Sequence, residues 1–279
     1  MTSWYVLGGG ISGTIAGYIL NAPVVTRPEK PIPFPLGPQY LYADPLTEKL
    51  LQTLGLPTTT RTVKFGFFDP DVGVSEPTPE LAERYYISTR NRRPPHWWIS
   101  RHTKFFEAFE VSPRRLHETL KRKVEIIYDE IYAIDLKRKV LIGEEKHHYD
   151  KLVSTIPLPV FSRLSGLHLE GTLSWKPITF RRVHVDELPF DIYETEFDYV
   201  YLIGHDVYRV TRHTPPYVVE EILGESEGHV LQYGKILGGR PITIKDVVFL
   251  GRYAEWNPRI LVHHVLRKTV KLSLQLSRV

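Results

Sequence analysis

Short apolar runs, cut by glycine and proline, sort this chain into strands and a few amphipathic helices. Residues 3–7 read as an apolar strand that runs into Gly8-Gly9-Gly10-Ile11-Ser12-Gly13, with 14–20 as the next helix and 23–26 as a second strand. Prolines at 28, 31, 33, 35 and 38 make 27–38 an extended loop. Residues 44–54 predict a helix: Pro45 suits its first turn, leucines recur at 46, 50, 51 and 54, and Gly55 stops it. Residues 61–104 read as short strands and loops rich in aromatics and arginine. A helix over 112–120 precedes a meander of strands at 124–128, 131–135 and 139–142, then a strand at 151–155 that halts at Ile156-Pro157-Leu158-Pro159. Strands dominate 176–235; an apolar strand at 247–250, a segment over 251–258 and a long helix from about 259 to 276 follow.

Gly8, Gly10 and Gly13 form G-x-G-x-x-G between a strand and a helix, the setting in which it binds a dinucleotide. The first glycine permits the tight turn, the second lets backbone approach a diphosphate, and the third lets helix and strand pack closely. The amides of Ile11 and Ser12 then open a helix whose positive end suits phosphate. An acidic residue at the end of the second strand would complete the pattern by binding ribose. Glu29 has that chemistry but follows Pro28, and Arg27 stands where the acid belongs, so the ribose contact falls to one or the other.

The chain has 279 residues, 42% hydrophobic and 24% charged, ordinary for a globular protein. Absence of cysteine excludes disulfides, thiolate chemistry and cysteine-held metals. No apolar run nears the roughly 18 residues of a membrane helix, and no basic leader precedes the glycine motif, so the expectation is a cytoplasmic protein without membrane contact. The formal net charge of +4 permits an anionic partner. His147-His148 and His263-His264 are adjacent rather than i, i+4 pairs, so no metal site is expected.

Beyond the glycine motif, Leu36-Gly37-Pro38-Gln39-Tyr40-Leu41 with Asp44-Pro45 and the helix to Leu54-Gly55-Leu56 resembles a segment of the flavin amine oxidase superfamily. That superfamily includes UDP-galactopyranose mutases and protoporphyrinogen-oxidase-like proteins. The run from Tyr149 through Thr155 to Pro157 resembles its strand and turn before the substrate region. Gly251-Arg252-Tyr253-Ala254-Glu255-Trp256 resembles its C-terminal flavin-binding segment. The resemblance implies FAD as cofactor, with Gly8, Gly10 and Gly13 on the diphosphate and backbone groups of Val124 on the adenine. It also implies Thr155 beside the dinucleotide, Gly251, Arg252 and Trp256 in the C-terminal segment, and Gly37, Pro38 and Gln39 near the isoalloxazine ring. The chain is shorter than most members, and a proline-rich loop replaces the glycine pair that usually follows the second strand.

The implied fold class is α/β: a Rossmann-like FAD-binding domain with a doubly wound sheet (residues 1–60, 105–160 and 236–279), interleaved with a smaller, mainly antiparallel substrate domain (61–104 and 161–235). The implied function is an FAD-dependent oxidoreductase that oxidises a C–N bond of an amine or amino-acid-like group by hydride transfer to flavin N5. Two rivals are a mutase-like flavin-dependent isomerase and a flavoenzyme acting on a modified nucleobase in DNA or RNA. In the strand over 208–214, alternation puts Tyr208, Val210 and Arg212 on one face and Arg209 on the other. Arg209 or Arg212 is the expected anion-binding substrate residue, with Tyr233 a further candidate. The partner is thus a small-molecule or nucleotide-like anionic substrate. Arg90, Arg92 and Arg93 beside Trp97 and Trp98 admit nucleic acid as well.

Overall fold

The computed structural model describes residues 3–28, 40–169, 173–240 and 242–276. The chain opens with β1 (Trp4–Leu7), α1 (Ile11–Leu20) and β2 (Val24–Thr26), then β3 (Leu41–Tyr42), α2 (Pro45–Thr53), β4 (Thr60–Val63), β5 (Phe65–Asp69) and β6 (Gly73–Ser75). Next come α3 (Pro79–Arg90), α4 (His96–Arg101), β7 (Phe106–Phe109), α5 (Pro113–Lys121) and β8 (Ile126–Tyr128). A meander of β9 (Ala133–Asp135), β10 (Val140–Ile142) and β11 (Lys146–His148) leads into β12 (Lys151–Ser154) and α6 (Leu158–Ser165). Then β13 (Leu173–His184), β14 (Tyr199–Leu202), β15 (Val207–Arg212), β16 (Tyr217–Leu223) and β17 (His229–Gly239) precede β18 (Val247–Phe249) and α7 (Val262–Leu276).

Five strands form a parallel sheet in the order β18-β12-β1-β2-β8. Val6 pairs with Val24 and Val153, and these valines pack with Ile15 and Ala16 of α1, Leu116 and Leu120 of α5 and Val265 and Leu266 of α7. One residue along, Leu7, Val25 and Leu152 face the other way, onto Ile134 and Leu141 of the meander and Phe161 of α6. Both faces are therefore covered, which explains why these strands read as continuous apolar runs. The fold class is the α/β one expected.

A seven-stranded sheet, β17-β13-β16-β15-β14-β5-β6, is antiparallel except where β14 runs parallel to β5. One face carries Phe65, Phe67, Tyr199 and Tyr201 beneath Tyr85 of α3 and Trp98 of α4. The other packs Val200, Leu202, Val210 and Val218.

Three local readings are corrected. Residues 61–104 hold two helices as well as strands: Thr78 Oγ1 accepts the Leu81 amide (3.2 Å), Pro79 sits in the first turn, and Asn91 closes α3 in the left-handed conformation. The Pro157-Leu158-Pro159 stop opens α6, because a first-turn proline lacks only an amide that would be unbonded anyway. In β15 the alternation breaks at a bulge between Val207 and Arg209, which leaves Tyr208 unpaired and turns it to the same side as Arg209.

Asp246, in the left-handed turn before β18, joins Lys139 and Lys151, the first of them at 2.8 Å. These two ammonium groups hold its carboxyl down at about 2, below its ordinary 3.8. A depressed folded-state value means that stability is present above the unfolded value and lost as pH falls through the folded one. The melting-temperature gap between the wild type and Asp246→Asn should therefore be full at neutral pH, shrink as the pH drops below about 4 and vanish near 2. A gap independent of pH would remove the assignment.

Candidate functional site

The carboxyl ends of β1, β12 and β18 meet at the glycine turn. Gly8 has φ +109°, and a Cβ there would lie 2.5 Å from Thr155 Oγ1, while a Cβ on Gly13 would overlap the Gly8 carbonyl. The turn is tied down on three sides: the Gly8 amide donates to Val25 O (2.9 Å), Thr155 Oγ1 to Gly8 O (3.0 Å), and His117 Nε2 to Gly9 O (2.7 Å). Gly10 differs. It is the N-cap of α1 with φ −68° and ψ 179°, no side chain caps the helix, and a Cβ on it would meet nothing within 4 Å.

The C-terminal segment reaches this turn. Gly251, at φ +100°, lies so close that a Cβ would be 2.7 Å from Ser12 Oγ. Its amide donates to Glu255 Oε1 (3.1 Å), which Lys268 of α7 also holds, and Arg252 Nε donates to Ile260 O (3.4 Å). Between the two segments runs a cleft of about 510 Å³. Gly10, Ile11, Ser12, Thr155 and Arg252 form one end; Tyr40, Tyr42, Phe65, Phe106, Tyr199 and Tyr201 wall the other, with Arg101, His102 and Arg209 among them. Uncapped amides, a positive helix end, an arginine and open space over Gly10 fit a diphosphate.

At the aromatic end, Arg209 is held by Glu221, with Nε to Oε1 at 2.6 Å and Nη2 to Oε2 at 2.5 Å, and Tyr208 OH donates to the same carboxylate at 2.6 Å. Its guanidinium also lies over the rings of Tyr199 (6.0 Å) and Tyr201 (5.7 Å). Arg101 Nη2 donates to Tyr42 OH (3.1 Å). Tyr40 stacks on Tyr199 at 6.2 Å, and burial, then the Asp198 charge, pushes its phenol up to about 12. The neighbouring Tyr199 is raised by burial too. These phenols stay protonated at neutral pH.

Other expected residues lie elsewhere. Val124 precedes β8 by two residues, at the opposite end of the sheet from the glycine turn, and packs near Gly17 of α1. Trp256 is buried, donates to Gly238 O (2.7 Å) and packs with Trp175 and Tyr233, so this tryptophan and tyrosine form a packing cluster outside the cleft wall. Arg212 turns to the other face of β15, where it donates to Ile192 O (2.8 Å) and Thr195 O. Arg27 is exposed, and Thr26 ends β2 beneath Gly9. Glu29, Gly37, Pro38 and Gln39 lie outside the described residues. In the arginine-tryptophan segment, Trp98 is buried between Tyr85, Tyr86 and His102, while Arg90 and Arg92 donate to the carbonyls of Ile236 and Leu237. Among the described residues no three His, Asp or Glu side chains gather to hold a metal, and no helix is long and apolar enough to cross a membrane.

The sequence reading missed the Tyr199/Tyr201 wall and the Arg101-His102 pair. The Tyr-Val-Tyr alternation at 199–201 and the arginine-rich end of 61–104 were the available signals.

No protein-family model matches the sequence, and no curated protein does. Solved structures do. A reduced UDP-galactopyranose mutase aligns over 99% of this chain and 95% of its own, with a TM-score of 0.64 and 12% identity. A redesigned putrescine oxidase aligns over 100% and 99% (TM-score 0.64, 10% identity), and a fatty acid isomerase from P. acnes over 98% of both chains (TM-score 0.65, 9% identity). This chain shares the overall fold of these three proteins.

Proposed function

We propose that the protein is an FAD-dependent oxidoreductase that oxidises the C–N bond of an amino-acid-like substrate. The observation that carries this reading is the cleft itself: helix amides and Arg252 at one end, an aromatic wall with Arg101 and Arg209 at the other, and among its described lining residues no carboxylate. In this reading the Gly8–Gly13 turn, Thr155, Gly251 and Arg252 hold the diphosphate, and residues 1–60, 105–160 and 236–279 form the cofactor-binding part. Residues 61–104 and 161–235 form the substrate part, and β17 crosses between the two.

FAD bound there supplies the two-electron acceptor for hydride from the carbon bearing nitrogen. The protein's share is orientation. Arg101 and Arg209 offer N–H groups to a substrate carboxylate, and the fixed geometry of Arg209 lowers the ordering cost of that contact. The tyrosine and phenylalanine walls exclude water. An ammonium placed among arginines is disfavoured, so the amine enters uncharged, as loss of hydride from its carbon requires.

The test is the visible spectrum of the purified protein under anaerobic conditions. Bound flavin should bleach with L-amino acids and remain oxidised with UDP-galactose or oligonucleotides. Absence of flavin after reconstitution would overturn the reading. So would isomerisation of UDP-galactose by the pre-reduced protein while amino acids stay inert.

A further inference from the structure

We infer that His102 presents Nε2 to the cleft as a hydrogen-bond acceptor for an uncharged N–H of the substrate, a role that rests on the amine-oxidising reading above. His102 follows α4, and its Nδ1 lies 2.8 Å from the carbonyl of Trp98. A carbonyl oxygen only accepts, so Nδ1 carries the proton; in a neutral imidazole the lone pair is then on Nε2. The ring is fixed in this attitude. It stacks on Trp98 with centroids 3.7 Å apart and planes 10° apart, and Tyr201 tilts against it at 5.7 Å. Nε2, on the ring edge away from the helix carbonyl, bonds to no described residue, while the side chain lines the cleft.

The surroundings keep the ring neutral. The charges with the largest effect on it are Arg101 beside it, Arg209 on β15 and Arg90 on α3, all cations. Burial, with these three arginines adding to it, lowers its basicity to about 3 although the Trp98 carbonyl opposes the shift. A group so weakly basic does not store a proton near neutrality and is unsuited to general-base work. What remains is an acceptor of fixed direction beside two arginines. A single small molecule satisfies all three when it carries a carboxylate for the arginines and a neutral amine N–H for Nε2. This narrows the substrate class to amino acids bound with the amine deprotonated.

Two measurements test the role. In holoenzyme labelled with ¹⁵N-histidine, the His102 resonances, identified by their loss in His102→Phe, should show the neutral Nδ1–H tautomer without titration between about pH 5 and 8. A titration midpoint inside that window, or the Nε2–H tautomer, overturns the inference. The second compares anthranilate, which has a carboxylate and an uncharged N–H, with benzoate, which lacks the N–H. Both are read from the perturbed flavin spectrum. The wild type should bind anthranilate about tenfold more tightly, the worth of one hydrogen bond. His102→Phe keeps an aromatic ring on Trp98 and should abolish the difference by weakening anthranilate alone; His102→Leu, which also lacks an acceptor, replaces it if that variant does not fold. Equal affinities in the wild type, no binding of either probe, or an undiminished preference in the variant overturns the inference. Flavin content and bleaching by amino acids are recorded on the same samples. Bleaching with a failed probe comparison removes the acceptor role alone, whereas absence of flavin removes the parent reading.

Discussion

Replacing Gly10 with valine is expected to leave the protein folded and to strip it of FAD. Gly10 has ordinary extended backbone angles, and a Cβ there would meet nothing within 4 Å, so the polypeptide tolerates a side chain. Valine is a poorer N-cap than glycine, at a cost of about 1 kcal/mol or less. The open space is where a diphosphate must approach the backbone. A branched side chain there should weaken FAD by about 100-fold or more, ~3 kcal/mol. Gly13→Ala provides the contrast: its Cβ would overlap the Gly8 carbonyl, so the turn itself must deform. Flavin-to-protein ratio and melting temperature, measured together, separate the two effects. A Gly10→Val protein that purifies with a full complement of flavin would show that the cofactor does not sit over α1.

Glu221→Gln is expected to produce the largest loss of stability. The carboxylate is fully buried on β16 and receives three hydrogen bonds, two from Arg209 and one from Tyr208. The carboxylate also acts on the buried Lys235, whose amine lies 4.3 Å from the Tyr208 ring and loses basicity chiefly through burial. Glutamine would leave Arg209 without a counter-charge, and breaking a buried pair from one side costs about 3–5 kcal/mol. For a chain of this size that is a fall of roughly 6–20 °C in melting temperature. Adding Arg209→Met should recover much of the loss, because the stranded charge is then gone. A single variant that melts within a degree or two of the wild type would remove the ion pair as a determinant of the fold.

The parts of this site carried by local chemistry were legible beforehand. The glycine turn and the Gly251-Arg252 segment announce themselves because each needs a particular backbone at consecutive residues. Arg209 was legible as a residue type, but its neighbours were not: the bulge after Val207 reverses the alternation that assigned Tyr208 to the opposite face. The aromatic wall depends on pairing across the sheet. Tyr199 and Tyr201 meet Phe65 and Phe67 only because β14 lies parallel to β5, and no local pattern specifies that partner. The packing of Trp256 against Tyr233 was hidden for a similar reason, since such a pair looks alike in sequence whether the rings face a ligand or each other. Val124 opens the apolar run of β8, and because that strand runs parallel to β2 its opening lies at the end of the sheet away from the glycine turn.

The contact of Gly251 with Ser12 makes assembly order a property of the site. During synthesis the ribosome releases the first βαβ unit long before it reaches Gly251, so an emerging chain displays half a cradle. On the FAD reading proposed above, cofactor capture belongs to the last stage of maturation, and chains stalled before β18 are expected to stay without flavin whatever its supply.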